Sequence, residues 1–268
     1  MKGLVTGIAL FAAISLLGFH VANAYEGAPV SGGGSVSGKV TFKGTAPPPK
    51  TFDFAKFPQA SFCGKADSDG QGHRVLKEVK VKDGALADVV VYIEKIEKGK
   101  PFNFTGTDVT ADLCRFLVQG GPSTFVGVVM KKNEIRVANL DADPSDPKSA
   151  DGVLHNPHGY EVKGSTNATM FNKPLPTKGQ VLKEKVTLRK PESFMKLECD
   201  QHNFMNAYFQ PIDNPYYAIV GDDGSFSIGD IPPGEYELEA FHPILGKKEQ
   251  KFTVAASGKA TANFEFSK

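Results

Sequence analysis

The chain lacks several features that would point to common functional classes. It has 268 residues, no tryptophan, three cysteines and a formal net charge of +1. No basic block with interleaved aromatic residues is present, so we do not expect nucleic acid as a partner. The chain also lacks a phosphate-binding glycine loop, a Ser/His/Asp triad signature and a C-x-x-C-H haem-attachment motif. We therefore expect that the protein is not an enzyme.

Long apolar runs are also scarce, and the one long run lies at the start of the chain. Lys2 precedes the apolar residues 4–19, and Ala22-Asn23-Ala24 follows them. A charged start, an apolar centre and an A-x-A site are typical of a secretory signal peptide. We predict that residues 1–24 are cleaved after Ala24 and that the protein is periplasmic or secreted, with no transmembrane segment left. An uncleaved membrane anchor is the alternative.

The three cysteines, Cys63, Cys114 and Cys199, are an odd number for an exported protein. In an oxidising compartment a left-over thiol needs an explanation. We predict that Cys63 and Cys114 form a disulfide, while Cys199 stays free to bind a metal ion. Three unrelated buried thiols are the alternative.

The hydrophobic pattern predicts an all-β protein. Apolar and polar side chains alternate along residues 36–43 and 235–241, as in half-buried strands. Turn signals are dense, and no long segment has helical periodicity. Residues 25–35 are rich in glycine and serine and are predicted to be a flexible leader. Residues 44–74 contain three consecutive prolines and few strand signals, so we expect an irregular excursion there.

The richest chemistry lies in the heptad Cys-Asp-Gln-His-Asn-Phe-Met. Cys199, His202 and Met205 supply a thiolate, an imidazole and a thioether, and a mononuclear copper site of this kind needs a second histidine. The candidate is His155, which precedes Asn156. Strand parity predicts that Cys199 faces inward at the end of its strand.

Alternatives remain for the metal and for the upstream ligand. Zinc also binds cysteine and histidine, although a methionine ligand does not suit it. His158 could replace His155, but the asparagine that follows His155 favours the latter. We expect Asn156 to tie the His155 loop to the Cys199 loop. His242 is expected to be structural and His73 to be solvated.

The segments that carry these residues resemble the cupredoxin family. Residues 125–129 and 135–141 are similar to its paired strands, His155-Asn156 to its first ligand and the following asparagine, and residues 194–211 to its closing strand, ligand loop and strand. The spacing Cys-x2-His-x2-Met resembles that of plastocyanin/amicyanin-like members. The resemblance implies a Greek-key β-sandwich over residues 104–212 with one type 1 (blue) copper ion, held by His155, Cys199, His202 and Met205.

The two ends of the chain resemble a second family. Residues 38–44 and 86–92, and then 223–228 and 231–238, are similar to parts of a carboxypeptidase-regulatory-like, prealbumin-type β-sandwich. This implies one discontinuous sandwich from residues 36–103 and 213–268, with the cupredoxin-like domain inserted, because domain termini often lie close together. The arrangement resembles secreted bacterial proteins often labelled methylamine-utilisation or plastocyanin-like.

These patterns predict an exported copper protein that carries one electron at a time to a redox partner such as a cytochrome or an oxidoreductase. His202 is the expected exit point for the electron, beside a small docking patch of Asn203, Phe204 and Pro157. Two alternatives differ in class. One is copper binding or delivery without redox traffic, and the other is a structural or adhesive surface module, since fold does not fix function.

Overall fold

A computed structural model describes residues 25–268, and the predicted signal peptide lies outside these residues. The described part is almost entirely β-structure, which confirms the prediction of an all-β sandwich architecture. Within residues 25–268, no helix has both the length and the apolar character needed to cross a membrane.

The elements follow one another in three groups along the chain. Before residue 104 the elements are β1 (Glu26–Gly27), β2 (Gly34–Lys43), β3 (Lys50–Asp53), a 3-10 helix (Phe54–Lys56), α1 (Ala60–Cys63), β4 (His73–Leu76), β5 (Val81–Lys82), β6 (Ala85–Leu86), β7 (Val89–Ile93) and β8 (Lys98–Gly99). Up to residue 212 they are β9 (Thr107–Ala111), β10 (Phe116–Val118), β11 (Val126–Val129), β12 (Glu134–Asn139), β13 (Pro157–Lys163), β14 (Thr166–Asn172), β15 (Val181–Lys185), β16 (Phe194–Cys199) and β17 (Asn206–Pro211). The remaining strands are β18 (Tyr217–Val220), β19 (Ser225–Ile231), β20 (Gly234–His242), β21 (Gly246–Val254), β22 (Lys259–Thr261) and β23 (Phe264–Ser267).

Strands β9 to β17 form what we call the middle sandwich. Its two sheets have the strand orders β10-β9-β12-β15 and β11-β17-β16-β13-β14. Alternate residues of β12 and β16 are buried, so each strand turns one face to the shared core. In β16 these residues are Met195, Leu197 and Cys199. The inward direction of Cys199 predicted from strand parity is therefore confirmed.

One strand pairing implied by the resemblance is wrong. Residues 125–129 and 135–141 were expected to form paired strands, but β11 pairs with β17, whereas β12 pairs with β9 and β15. The two strands lie in opposite sheets because the chain crosses between the sheets after β11. Lys132 in this crossing has a positive φ of 67°.

The outer sandwich contains strands from both ends of the described chain. Its sheets have the orders β18-β7-β20-β21 and β19-β2-β6-β5, and β22 and β23 also pair with β2. All five residues of β7 are buried, because both faces of this strand are covered. Val89, Val91 and Ile93 point into the outer core, whereas Val90 and Tyr92 join an apolar layer between the two sandwiches.

Residues 25–35, predicted to be a flexible leader, instead contain regular structure at both ends. β1 pairs in parallel with β8, and β2 already begins at Gly34. The ring of Tyr25 packs edge-on against the rings of Phe102 and Tyr216. These aromatic contacts anchor the start of the segment, which the glycine and serine content alone did not indicate.

Residues 50–76 form a feature that we call the strap. β3 and β4 pair as an antiparallel ladder, and the two short helices lie between them. Asp53 caps the first helix, since its Oδ1 accepts a hydrogen bond from the backbone N–H of Ala55 at 2.9 Å. Phe54 and Phe62 are buried in the core cluster of the middle sandwich. The predicted irregular excursion is therefore an ordered cover. The strands before and after it belong to the outer sandwich, but the strap packs on the middle sandwich.

Candidate metal centre

Three of the four predicted ligands converge on one buried point of the middle sandwich. The Sγ atom of Cys199 lies 3.9 Å from Nδ1 of His155 and 3.9 Å from Nδ1 of His202. All three residues are 0% exposed. Metal bonds of about 2.0 Å to nitrogen and 2.3 Å to sulfur, separated by about 120°, place the two ligand atoms about 3.7 Å apart. The observed spacing therefore fits a single ion between these atoms.

The heptad reaches this point through two successive turns. The backbone N–H of His202 donates to the carbonyl of Cys199 at 3.1 Å, and that of Met205 donates to the carbonyl of His202 at 2.8 Å. The N–H of Cys199 donates in turn to the carbonyl of Met205 at 3.2 Å, which closes the loop at the start of β17. Met205 is 1% exposed and lies in the same core cluster as Cys199. The heptad thus buries Met205 in the same core as Cys199, at the start of β17.

A buried carboxylate that sequence reasoning missed holds His155. Nε2 of His155 lies 2.8 Å from Oδ2 of Asp141. The same carboxylate accepts hydrogen bonds from the backbone N–H groups of Leu113 at 2.6 Å and Cys114 at 2.9 Å. Asn139 accepts a hydrogen bond from the N–H of Asp141 and so fixes its backbone. The arrangement orients the imidazole with Nδ1 toward Cys199. The sequence carries no stronger signal for Asp141 than its position just after a strand.

The ionisation of these groups reflects the hydrogen bonds within the cluster. Burial raises the pKa of Cys199, but hydrogen bonds from His155 and His202 outweigh it and lower this pKa to about 6. Burial lowers the pKa of His155, but its hydrogen bonds to Asp141 and Cys199 raise it to about 9. Burial also raises the pKa of Asp141, yet the hydrogen bond from His155 holds it below its ordinary value. Cys199 is therefore largely a thiolate at neutral pH, which is the form that binds metals.

Asn156 joins the two ligand-bearing loops. Its backbone N–H donates to Sγ of Cys199 at 3.3 Å, and its carbonyl accepts a hydrogen bond from the N–H of Asp200 at 3.1 Å. Its side-chain amide donates to Asp200 at 3.1 Å and to Asn172 at 2.7 Å. An N–H···S hydrogen bond draws charge from the thiolate and so affects the potential of a bound redox metal.

His158, the alternative upstream ligand, lies outside the converging group. Its Nδ1 is 3.0 Å from Asp200, its Nε2 is 2.8 Å from Thr169, and its ring stacks on Tyr160. Because His155 and His158 are three residues apart along extended chain, their side chains point to opposite faces.

His202, the expected exit point for the electron, is buried beneath the strap. Nε2 of this buried histidine lies 3.1 Å from the carbonyl oxygen of Pro58 in the strap. Phe204 is 3% exposed and Pro157 is also buried, so of the predicted docking patch Asn203 alone is exposed. The strap covers the patch: Phe204 is enclosed by the rings of Phe52, Phe54 and Phe57 and by the guanidinium of Arg74.

The predicted pairing of the cysteines is present. Cys63 of the strap and Cys114 of the middle sandwich are joined by a disulfide with an S–S distance of 2.09 Å, which we call the clasp. Cys199 is the free cysteine of residues 25–268. Nη2 of Arg74 donates to the carbonyls of Cys63, Leu113 and Cys114 at 3.1–3.2 Å. The clasp and Arg74 together fasten the strap over the ligand loop.

We expect Asp141→Asn to weaken copper binding by about 10–100-fold, because asparagine can no longer offer a carboxylate to Nε2 of His155. A competition titration with a chromophoric copper chelator measures the change. Asp143→Asn is the matched control, since Asp143 is also buried in this loop but bonds to Ser145 instead of His155. Equal affinity in the two variants would contradict a positioning role for Asp141.

His242 is buried and structural, as expected. Its Nδ1 accepts hydrogen bonds from the backbone N–H groups of Ile244 and Leu245, so the neutral ring is required. Burial lowers its pKa to about 4; Asp88 raises this pKa and Lys80 lowers it, each by a smaller amount. His73 is partly exposed and lies 2.7 Å from Asp69.

His242 makes folding sensitive to acid. A histidine in the unfolded chain has a pKa near 6.5, so protons bind preferentially to the unfolded state below that pH. The stabilisation is complete above pH 6.5 and is lost as the pH falls toward 4. Between pH 7.5 and pH 4.5 this group is expected to lower the free energy of unfolding by about 2.5 kcal/mol. Urea unfolding measures the free energy of unfolding at both pH values. The difference between the two values should be smaller in His242→Gln than in the wild type, but unchanged in His73→Gln. An unchanged difference in His242→Gln would refute the assignment.

No protein-family model matches the chain, and no curated protein matches it. Among solved structures, the Cu-containing nitrite reductase (NirK) from Thermus scotoductus SA-01 is similar to this chain at 13% sequence identity and a TM-score of 0.29. The similarity covers 46% of this chain and 25% of that chain, so this chain spans about a quarter of its length. The metal centre is defined by the geometry of its own residues.

Proposed function

We propose that the protein is an exported mononuclear copper protein that carries one electron at a time and turns over no substrate. One copper ion per chain would be held by His155, Cys199, His202 and Met205. The observation that carries the proposal is the convergence of one thiolate and two imidazole Nδ1 atoms, at 3.9 Å, on a point without solvent exposure.

The hydrogen bonds of the two histidines support this ligand set. A carbonyl oxygen only accepts hydrogen bonds, so Nε2 of His202 must be protonated and donate its N–H to the carbonyl of Pro58. Nε2 of His155 likewise faces the carboxylate of Asp141. With Nε2 protonated, Nδ1 is the ring nitrogen through which each histidine would bind a metal ion, and the ion would displace the proton that His155 shares with Cys199. The hydrogen bonds at Nε2 fix both ring orientations.

The donor types favour copper over zinc. A thiolate with two imidazoles and a weak thioether suits both oxidation states of copper, whereas zinc does not favour a methionine ligand. A bound copper ion would supply a one-electron couple. The strands around the site hold the ligands in nearly the same positions in both states, and the N–H of Asn156 stabilises charge on Cys199.

The route of the electron follows from the cover over His202. Pro58 accepts the hydrogen bond from His202 and is itself exposed. The imidazole is thus one hydrogen bond from the surface, and a redox partner such as a cytochrome or an oxidoreductase would dock on the strap instead of on the ligand loop. Export to the periplasm or beyond, with cleavage after Ala24, belongs to the same proposal.

Copper storage or delivery is the second candidate function, and burial of His202 beneath the strap favours it. A covered ligand slows exchange of the ion and keeps partners away from the imidazole. Cyclic voltammetry of the folded copper protein separates the two functions. A carrier should give a fast, reversible one-electron wave, whereas a store should give a slow or irreversible response.

The direct test uses protein purified from the periplasm. Metal analysis should find one copper per chain, and the oxidised protein should show an intense visible thiolate-to-copper absorption together with a Cu(II) EPR signal. N-terminal sequencing should begin at Tyr25. Folded protein that takes up copper without the visible band would refute the proposed site.

A further inference from the structure

A second group of soft ligand atoms lies beside the metal centre. The sulfur atoms of Cys63 and Cys114 and a ring nitrogen of His202 all lie within 4.8 Å of one another. All three residues are 0% exposed. In the disulfide form the two sulfurs are bonded to each other and are poor ligands. In the dithiol form the same three residues would offer two thiolates and an imidazole.

The charge around this group fits an anionic occupant. Arg74 is 2% exposed, and it donates to the carbonyls of both clasp cysteines. Its carboxylate partner, Asp67, lies 3.3 Å away and is half-exposed, and Nε of Arg74 is buried without a hydrogen-bond partner. A buried cation is costly unless it is paired. A neutral disulfide supplies no counter-charge, so the carboxylates that act on Arg74 are the half-exposed Asp67 and the more distant, buried Asp141. Cu(I) bound by two thiolates would add a net charge of −1 next to the guanidinium.

We propose that Cys63 and Cys114, when reduced, bind Cu(I) together with His202 as a second site adjacent to the first. Two thiolates and an imidazole are the soft and borderline ligands that Cu(I) prefers, and the site is closed to water. His202 also belongs to the group with Cys199 and His155, so with both ions bound it would stay with the first ion and the second Cu(I) would be held by the two thiolates. When the first site is empty, His202 would complete the second site. The site does not depend on whether the first site carries electrons.

A dithiol compound would be the reductant that opens the clasp. Such a compound gives two electrons and two protons to the S–S bond, leaves as its own cyclic disulfide, and produces two thiols from Cys63 and Cys114. Cu(I) then displaces the two thiol protons. The ion would replace the covalent clasp as the link between strap and middle sandwich, and it would protect both sulfurs from reoxidation.

Anaerobic Cu(I) titration against a chromophoric chelator tests the proposal. The full mature protein is compared before and after treatment with dithiothreitol, and gel filtration removes the reductant. Alkylation followed by mass spectrometry counts the free cysteine thiols in each sample. We expect one bound Cu(I) in the oxidised protein and two in the reduced protein. Reduced Cys199→Ser should bind one ion with two sulfur neighbours by X-ray absorption, and oxidised Cys199→Ser should bind none tightly.

The double variant Cys63→Ser/Cys114→Ser is the matched control, because it opens the clasp without supplying thiolates. It should bind one Cu(I), and its near-UV circular dichroism shows whether the strap stays packed. A reduced wild type that binds one ion, or a clasp that dithiothreitol does not reduce, would overturn the second site. If instead the first site, at Cys199, does not bind copper, the result differs. The oxidised wild type would then bind no copper, while reduced Cys199→Ser would still bind one ion.

Discussion

Replacing Cys199 with serine is expected to abolish the intense visible absorption of the copper-loaded protein. The band requires a thiolate bonded to Cu(II), and Cys199 is the free thiol of the described chain. Copper affinity should fall by at least about 100-fold, since this exceeds the loss from changing a residue that merely supports a ligand. Visible spectra and chelator competition on the purified, oxidised protein measure both effects.

Two histidine variants make this experiment specific. His155→Gln should also remove the band or change it strongly, because it deletes one of the two imidazoles near Sγ. His158→Gln should keep the band, since His158 bonds to Asp200 and Thr169 on the other face. A band that survives in Cys199→Ser, or that disappears in His158→Gln alone, would mean that the ion binds elsewhere. Far-UV circular dichroism confirms that each variant is folded.

Removing the clasp is expected to cost about 4 kcal/mol of stability. Cys63 and Cys114 are separated by 51 residues, and the chain-entropy model gives about this value for a loop of that length. The variant is Cys63→Ala/Cys114→Ala, and urea unfolding of the metal-free protein measures the loss. The strap should detach first, because the clasp is its covalent link to the middle sandwich. Exposure of His202 would then speed copper exchange.

The control for this prediction is Cys199→Ala, which removes a cysteine but no disulfide. A loss below about 1 kcal/mol in the double variant would show that packing alone holds the strap. The contacts that would then be responsible are the aromatic cluster around Phe204 and the hydrogen bonds of Arg74.

Much of the ligand geometry could be predicted because it is local. The period-two pattern of β16 directs Cys199 inward, and the short heptad can return His202 to Cys199 only by turning. The asparagine that follows His155 favoured this residue over His158. The pairing of Cys63 with Cys114 followed from an odd number of cysteines in a chain that was predicted to be exported. Each of these inferences depends only on residues close together in sequence or on the number of cysteines.

The predictions that the structure corrected depended on contacts between segments far apart in sequence. The strap contacts His202 through Pro58, which lies 144 residues away in sequence. Strand periodicity says nothing about which distant segment covers a surface, so the cover over His202 and the docking patch was not predicted. The pairing of β11 with β17 was missed for the same reason, because sheet partners are chosen by packing of the whole core.

The sequence by itself determined the all-β character, the inward thiol, the types of the candidate ligands and the identity of the free cysteine. These properties follow from side-chain alternation, turn chemistry and residue count. The tertiary structure alone decided that Asp141 holds His155, that Pro58 holds His202, and that the clasp lies beside both. Those contacts join buried polar groups that need partners, and the folded chain supplies partners from segments remote in sequence.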